Sequence, residues 1–250
     1  MKQALYILIL ICLNLNVFSQ HKEEGGVNLP KFYRNKMHFG FALAYNKTDF
    51  RVHTIKNSAF PDTVIGGVTY GLKSIYPKSD PGFALGIISD FRLHQYVRLR
   101  FTPNISFASR SLDYTLQNAK RDSTRTYKKS VESTFIILPL EFKIQSKRLD
   151  NFGAYIILGG GYTMDLVSKK KGQPTGGAGQ LDDAILLKRD DFFYSGGAGV
   201  DFYLEYFKLG LEVKVLQGTK NLLQKSNNIF SNSIDKINSK MAIFSVTFEG

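Results

Sequence analysis

The segment that decides the fold spans residues 190–220 and reads DDFFYSGGAGVDFYLEYFKLGLEVKVLQGTK. Apolar residues alternate with small or charged ones over 192–204, and the alternation resumes over 207–215. A period of two residues indicates β-strand, and two such runs joined by a short reversal near Glu205 predict a β-hairpin. The second face mixes glycines with charges of both signs. This mixture is typical of the interior of a small transmembrane barrel whose apolar face contacts lipid.

Length and composition agree with one β-barrel. The chain has 250 residues, and a barrel of about 250 residues forms a single domain. Beyond the N-terminal segment there is no run of about 20 apolar residues, which excludes a helical membrane protein. The formal net charge of +12 admits nucleic acid or anionic lipid as partners. Many of the basic residues cluster in predicted loops rather than with aromatic residues on one face, which disfavours nucleic acid.

Residues 1–19 predict a cleaved secretory signal peptide. A positive charge at the start precedes the apolar segment Leu5–Leu13, which is too short to span a bilayer, and Ser19 fits the small residue before a cleavage site. The chain has one cysteine, Cys12, inside this segment, so the exported chain is predicted to have no thiol. Lipidation of Cys12 is the alternative, but a bulky residue precedes it. Export leaves the periplasm, the cell exterior or the outer membrane as the destination.

The sequence after the signal peptide predicts a short polar periplasmic segment, residues 20–37, and a barrel of eight strands within residues 38–249. The predicted strands are 38–52, 82–93, 96–117, 131–146, 152–168, the two strands of the opening hairpin, and 239–249. Long and short connections alternate, as in transmembrane barrels that have short periplasmic turns and long external loops. We therefore predict an all-β, eight-stranded antiparallel up-and-down barrel of the outer-membrane type, with both termini in the periplasm. A soluble barrel such as a lipocalin is the alternative, but it would expose the glycine-rich face to water.

Two prolines fall inside predicted strands. Proline removes a donor from the hydrogen-bond ladder, and a closed barrel has no edge strand to accommodate it. We therefore expect bulges at Pro103 and Pro139, or a strand end near Pro103.

The inward positions carry nearly balanced charges. An eight-stranded barrel has an interior just wide enough for side chains, and buried charges need partners. We therefore predict a network of ion pairs that fills the lumen; a proton or ion path is the alternative. The predicted members are Asp90, Arg92, Arg98, Arg100, Glu141, Lys143, Asp165, Asp201, Glu205, Lys208, Glu212 and Lys214.

Two predicted external loops carry basic clusters, which predict contacts with the phosphates of lipopolysaccharide. The alternative is that they only keep the loops solvated. The residues are Lys120, Arg121, Arg125, Lys128 and Lys129 in one loop, and Lys169, Lys170 and Lys171 in the next.

We predict no catalytic, cofactor or metal site. Only His53 falls near the predicted outer rim, where Ser58 or Asp49 would have to complete a lipid-modifying site; a solvated loop histidine is the simpler interpretation. The histidines, scattered without metal-ligand spacing, are His21, His38, His53 and His94. Gly159–Gly161 and the pair Gly196 and Gly197 lie in strands without a following helix or P-loop lysine. We interpret these glycines as packing residues of the lumen.

Several segments resemble the PorT (SprT) family. The segment GVDFYL at 199–204, followed by YFK at 206–208, is similar to the family's sixth and seventh strands. The segment NLP at 28–30 with HFGF at 38–41 is similar to the family's start. Further matching segments are GIISDFRL at 86–93, LRF at 99–101, STF at 133–135, LPL at 138–140 and RLDNF at 148–152. The glycine-rich loop 172–180 and the loop near Gly66 do not match a feature of the family that we can identify.

The resemblance implies an outer-membrane protein required for type IX protein secretion, and for gliding where the cell glides. It implies no catalytic residues, and it implies other type IX secretion components as partners. A filled barrel fits an accessory or assembly role better than a conduit. The alternative is a small general outer-membrane barrel that binds lipid or adhesive ligands through its loops.

Overall fold

The computed structural model describes residues 27–54, 63–65, 68–118, 124–167, 187–224 and 234–250. A 3-10 turn, Phe32–Arg34, precedes the strands. The ten strands of these ranges are β1 Met37–Thr54, β2 Thr63–Ile65, β3 Val68–Arg92, β4 Val97–Phe101, β5 Asn104–Asn118, β6 Thr124–Gln145, β7 Phe152–Asp165, β8 Asp190–Tyr203, β9 Lys208–Gly218 and β10 Ile234–Glu249. In the described part of the chain, no helix has the length and apolar content needed to cross a membrane.

The sheet closes on itself. Phe41 of β1 pairs with Phe248 of β10 on one side and with Ile87 of β3 on the other. Around the ring the order is β1, β10, β9, β8, β7, β6, then β4 and β5 as one interrupted strand, then β3, all antiparallel. The short β2 forms a hairpin with the start of β3. Eight strands thus form the wall, which confirms the predicted all-β, eight-stranded antiparallel barrel.

The two ends of the barrel differ. The turns 93–96, 146–151 and 204–207 lie at one end, which we call the short-turn end. The other connections lie at the opposite end, which we call the loop end. The connection between β5 and β6 is only residues 119–123, whereas those from β1 to β3, from β7 to β8 and from β9 to β10 are longer than the three turns. The first described residues and the last strand's C-terminus meet at the short-turn end, where the Gly250 amide donates to the Phe39 carbonyl over 3.0 Å.

The outward face carries an apolar belt, as the alternation predicts. On β1, Phe39 and Leu43 are 58% and 46% exposed, whereas Ala42 between them is buried. Tyrosines flank the belt, with Tyr194 towards the loop end and Tyr206 at the short-turn end. An apolar band between aromatic girdles is the surface that a transmembrane barrel presents to lipid.

Above the belt the polarity of the wall is inverted. Towards the loop end Phe50, Tyr114, Leu116 and Ile237 point inward and form an apolar cluster with residues of the neighbouring strands. The outward positions there include the exposed cations Arg51 and Lys128, together with the exposed ring of Tyr76. The strands of this upper part therefore pack around a core of their own, as in a water-soluble β-protein.

This inversion explains why the predicted strand bounds were too short at the loop end. The sequence predicted one long loop, residues 54–80, between the strands 38–52 and 82–93. This prediction was wrong, because 63–65 and the first part of β3 are strand. The register of β3 against β5 shifts between Leu72 and Ser74 and between Ser79 and Phe83. A bulge moves later residues to the opposite face, so the alternation in the sequence breaks there. Of the predicted loop 118–130, residues 118 and 124–130 are likewise strand.

The two prolines meet at one interruption of the sheet. Phe101 of β4 pairs with Leu140, and Asn104 of β5 pairs with Ile137. The residues left between these pairs include Pro103 on one side and Pro139 on the other. The expected strand end near Pro103 is confirmed. The bulge expected at Pro139 was wrong, because the register of β6 continues unshifted past it.

The interpretation of all the strand glycines as lumen residues was wrong for two of them. Gly159 and Gly161 face inward, where a Cβ atom would lie 2.4 and 2.3 Å from backbone oxygens of β6. Gly160 and Gly196 fall on the outward face by the alternation of their strands. At Gly196 the nearest atom to a Cβ would be a Leu158 methyl group at 3.5 Å.

Candidate functional site: the filled lumen and its closed end

The lumen next to the short-turn end is occupied by charged side chains. Arg100 of β4 lies at the centre and is 1% exposed. Its Nη2 donates to Asp90 over 3.0 Å and to Glu249 over 2.7 Å, and its Nη1 donates to Glu212 over 3.2 Å. Arg98 adds a 2.7 Å bond from its Nε to Asp90. One guanidinium therefore connects carboxylates from three strands, β3, β9 and β10.

Three lysines extend the network from this centre. The Nζ of Lys208 lies 2.7 Å from Glu249 and 3.6 Å from Asp201, which also accepts a 2.7 Å bond from Lys143. On the other side Lys214 lies 2.9 Å from Glu212 and 2.9 Å from Glu141. The connected set is Arg98, Arg100, Lys143, Lys208, Lys214, Asp90, Glu141, Asp201, Glu212 and Glu249. Its five cations and five anions cancel.

Neutral side chains complete this charge network. The hydroxyl of Tyr155 donates to Glu212 over 3.0 Å, and the Lys143 ammonium lies 3.7 Å from the centre of the same ring. The Ser195 hydroxyl donates to Glu141 over 2.6 Å. Buried charges are tolerated when they are both paired and hydrogen-bonded. The charge network therefore has the ion pairs and hydrogen bonds that allow it to fill the lumen stably.

Three predicted members, Arg92, Glu205 and Asp165, lie outside the network, and one member was missed. Arg92 is the last residue of β3, half-buried, and its Nη1 donates to the Arg34 carbonyl over 3.2 Å. Glu205 is exposed in the turn after β8, because the strand ends at Tyr203. Glu249 was absent from the predicted network. The alternation of β10 places Glu249 on the inward face, and this pattern could have predicted it.

The predicted member Asp165 belongs to a separate pair nearer the loop end. It accepts from Arg110 Nη2 at 3.4 Å, and Arg110 also donates to Ser133 over 2.8 Å. The Arg110 guanidinium lies between the rings of Phe50 and Phe135, at 4.4 and 4.8 Å from their centres. Arg110 was not predicted, although the alternation of the predicted strand 96–117 places it on the same inward face as Arg98 and Arg100.

The segment before β1 covers the short-turn end of the lumen. Phe32 stacks on His38 with ring centres 3.6 Å apart, and the Lys208 ammonium lies 4.8 Å from the Phe32 ring. Arg148 of the β6–β7 turn donates to the carbonyls of Asn28 and Leu29. The mouth of the barrel is thus closed by the chain itself.

The lumen cavity beside the network is small. It has a volume of about 30 Å³, room for roughly one or two water molecules. Thr102, Asn104 and Thr247 line it, and each has a buried side-chain oxygen without a protein partner. These oxygens are suited to bind water. The cavity is too small for a substrate or a translocating chain.

Of the three residues considered for a lipid-modifying site, the structure describes two. His53 is exposed near the end of β1, Asp49 accepts a bond from the Phe50 amide, and Ser58 lies outside the described residues. Among the described residues, no group of three or more His, Cys, Asp or Glu side chains is arranged to hold a metal.

Of the predicted lipopolysaccharide contacts, Lys120, Arg121, Lys169, Lys170 and Lys171 lie outside the described residues. The other three, Arg125, Lys128 and Lys129, lie on β6 rather than in a loop. The side chains of Arg125 and Lys128 are exposed, and the Arg125 guanidinium lies 5.4 Å from the centre of the Tyr70 ring. The prediction that these three belong to a loop was wrong, because β6 extends above the belt.

Three solved structures of membrane barrels are similar to this chain at low scores. Neisserial surface protein A has 11% identity and a TM-score of 0.42, with 84% of this chain and 95% of that chain covered. The attachment invasion locus protein Ail of Yersinia pestis has 11% identity and a TM-score of 0.37, with 86% and 100% covered. OprG of Pseudomonas aeruginosa has 12% identity and a TM-score of 0.40, with 85% and 92% covered. The comparison with curated proteins gives no significant match.

A match to a protein-family model covers most of the sequence. Residues 18–224 match the outer membrane protein beta-barrel domain. The closed eight-stranded ring, the apolar belt and the charged interior are the features that such a barrel requires. The chain therefore belongs to the outer membrane protein beta-barrel domain family.

Proposed function

We propose that this outer-membrane barrel is a non-enzymatic accessory or assembly component of type IX protein secretion, and of gliding motility where the cell glides. The resemblance to the PorT (SprT) family supports the choice of pathway. The observation that carries the non-conduit role is the neutral charge network across the lumen. A secreted protein cannot pass through a barrel whose lumen is filled by the barrel's own side chains.

The proposed membrane orientation follows from the two ends of the barrel. Short turns of such barrels lie in the periplasm and longer connections face outside. We place the short-turn end and both termini in the periplasm, after cleavage of the signal peptide 1–19. The basic residues of the loop end then meet the phosphates of lipopolysaccharide, and the covered short-turn end is available to periplasmic secretion components.

A deletion strain tests the proposed role. Without the gene, cargo proteins of the type IX pathway should accumulate inside the cell, and a plasmid copy should restore their export. A copy with Arg100→Met that still reaches the outer membrane folded should restore export as well, because the role needs a barrel rather than a lumen reaction. Normal cargo export in the deletion strain would contradict the proposal.

A second candidate function is supported by the upper part of the barrel. The strands continue above the apolar belt around their own apolar cluster, which includes Phe50, Tyr114 and Ile237. A packed extension of this kind would hold loops at a fixed distance above the membrane, as a barrel that binds lipid or adhesive ligands requires. Loss of surface adhesion with unchanged cargo export in the deletion strain would favour this function.

A further inference from the structure

A pocket opens at the short-turn end, outside the charge network. It has a volume of about 380 Å³ and is lined by residues from three segments that the fold brings together. Arg34 comes from the segment before β1, Arg92 and Tyr96 from the β3–β4 hairpin, and Lys147 and Arg148 from the β6–β7 turn. The two turns are neighbours because β4 pairs with β6. The volume is within the range of small-ligand sites.

The charge in this pocket is uncompensated. Four of its lining residues, Arg34, Arg92, Lys147 and Arg148, are cationic, and its lining contains no carboxylate. None of the ion pairs formed among the described residues includes any of the four. In the neighbouring lumen, by contrast, every cation of the charge network has an anion. Convergent unpaired cations form a site for an anion.

The cations of the pocket differ in how many of their hydrogen-bond donors are already used within the protein. Arg148 donates to the carbonyls of Asn28 and Leu29 and to the Asn151 side chain, and it lies 3.9 Å from the Tyr203 ring centre. It therefore positions the wall of the pocket. Arg92 has one bond, to the Arg34 carbonyl, and its guanidinium keeps donors for a ligand. The guanidinium geometry suits phosphate oxygens.

The pocket lies at the edge of the lipid-facing surface. Tyr96 is 38% exposed, and the outward neighbours Phe91 and Leu93 are 43% and 51% exposed. Basic groups at this depth attract anionic lipid headgroups. We propose that this pocket binds the phosphate of an anionic phospholipid in the periplasmic leaflet of the outer membrane. The choice of leaflet rests on the orientation given under the proposed function.

Binding to the purified barrel tests this site. The folded full chain, in micelles of a neutral detergent, is titrated calorimetrically with short-chain phosphatidylglycerol and, separately, with short-chain phosphatidylcholine. We expect preferential binding of phosphatidylglycerol. The double variant Arg92→Gln and Lys147→Gln should weaken that binding about tenfold or more. The single variant Arg34→Gln should also weaken phosphatidylglycerol binding. Because residue 34 lies outside the strands, this variant tests the site without changing the barrel wall.

A matched control removes two charges elsewhere. Arg51→Gln with Lys128→Gln lowers the net charge equally at the loop end and should leave phosphatidylglycerol binding within about twofold. Three results would overturn the proposal: equal binding of the two lipids, an equal loss in the control, or binding of glycerol 1-phosphate as tight as that of the lipid. Tighter binding of an acidic peptide would also overturn it, in favour of a protein partner.

The outcome is separable from that of the secretion proposal. Lipid selectivity is measured on isolated protein, whereas the secretion role is measured by cargo export in cells. Normal export in the deletion strain would reject the secretion role and leave selective lipid binding intact. Loss of selectivity would reject the lipid site and leave the export result intact.

Discussion

At the scale of single residues, Arg100 holds the charge network together. Its guanidinium bonds to Asp90, Glu212 and Glu249, which lie on three different strands. The network is neutral only while this cation is present. Removal of one partner from a buried ionic cluster costs more than the cluster contributes, because the remaining charges stay desolvated.

Replacement of Arg100 by methionine should therefore destabilise the barrel by about 3–5 kcal/mol. The measurement is urea unfolding of the refolded protein in detergent, followed by the gel shift between folded and heated samples. Phe41→Leu on the lipid-facing side is the control and should change the unfolding free energy by less than about 1.5 kcal/mol. Equal, small effects of the two substitutions would mean that water solvates the network.

A second substitution pair tests whether neutrality matters. Lys143 and Asp201 are 2.7 Å apart and almost fully buried. Lys143→Met and Asp201→Asn each leave one unbalanced charge, whereas the double variant restores a neutral network. We expect the double variant to lose less stability than the sum of the single variants, with a coupling of about 0.5–3 kcal/mol. Additive losses in urea unfolding would show that the two groups act independently.

At the scale of elements, glycine on β7 and β8 has two distinct uses. On the inward face Gly159 allows β7 to lie close to β6, since a Cβ would be 2.4 Å from the Leu140 oxygen and 2.6 Å from the Glu141 Cα atom. On the outward face Gly196 has room for a methyl group. The residue type is the same, but only one position requires it.

Gly159→Ala should therefore lower the unfolding free energy by about 1–3 kcal/mol, because backbone atoms have to move. Gly196→Ala is the matched control, and we expect it to be neutral or slightly stabilising, since alanine restricts the unfolded chain. Urea unfolding of both refolded variants gives the comparison. Similar losses at the two positions would contradict the assigned inward and outward faces.

The basic segment 169–171 gives a prediction for the loop end. Lysines near an anionic surface gain about 1 kcal/mol each, less at high salt. Replacement of Lys169, Lys170 and Lys171 by glutamine should reduce the lipopolysaccharide that co-purifies with the barrel. Arg92→Gln with Lys147→Gln, at the short-turn end, should leave that amount unchanged. An unchanged amount in the triple variant would leave these lysines only the role of solvating the loop.

At the scale of the whole molecule, the barrel is built from two stacked parts with opposite polarity. In the belt the apolar side chains point out and the charge network fills the inside. Above the belt the apolar side chains point in and the polar ones face out. The lower part is adapted to lipid and the upper part to water, which fixes the depth of the protein in the membrane.

The proposed orientation of this assembly predicts which end is accessible on intact cells. A cysteine at Thr126, exposed on the upper part of β6, should react with a membrane-impermeant thiol reagent from outside. A cysteine at Gln95, in a short turn, should react only after the outer membrane is made permeable. A cysteine at Gly177, which lies outside the described residues, is also expected to react from outside. Labelling at Gln95 alone would invert the topology.

Much of the lower barrel follows from the sequence alone. Alternation placed Phe41 and Leu43 outward and Arg98 and Arg100 inward, because each strand of the belt separates lipid from the lumen. The rule depends on one lipid-facing side, so it failed above the belt, where the apolar residues of β3 and β5 point inward and bulges shift the register. Predicted strand bounds were accurate at the short turns for the same reason.

The pairing inside the lumen was decided by the tertiary structure. The sequence determined that charges of both signs point inward, and hence that they must neutralise one another. It did not determine that Arg100 meets Glu249, 149 positions away, because that contact depends on the stagger with which the strands close the ring. The same closure places Arg92 and Lys147 in the lining of one pocket and leaves Glu205 outside the network. The face that a side chain occupies depends on its own strand, whereas its ion-pair partner across the lumen depends on how all eight strands close the barrel.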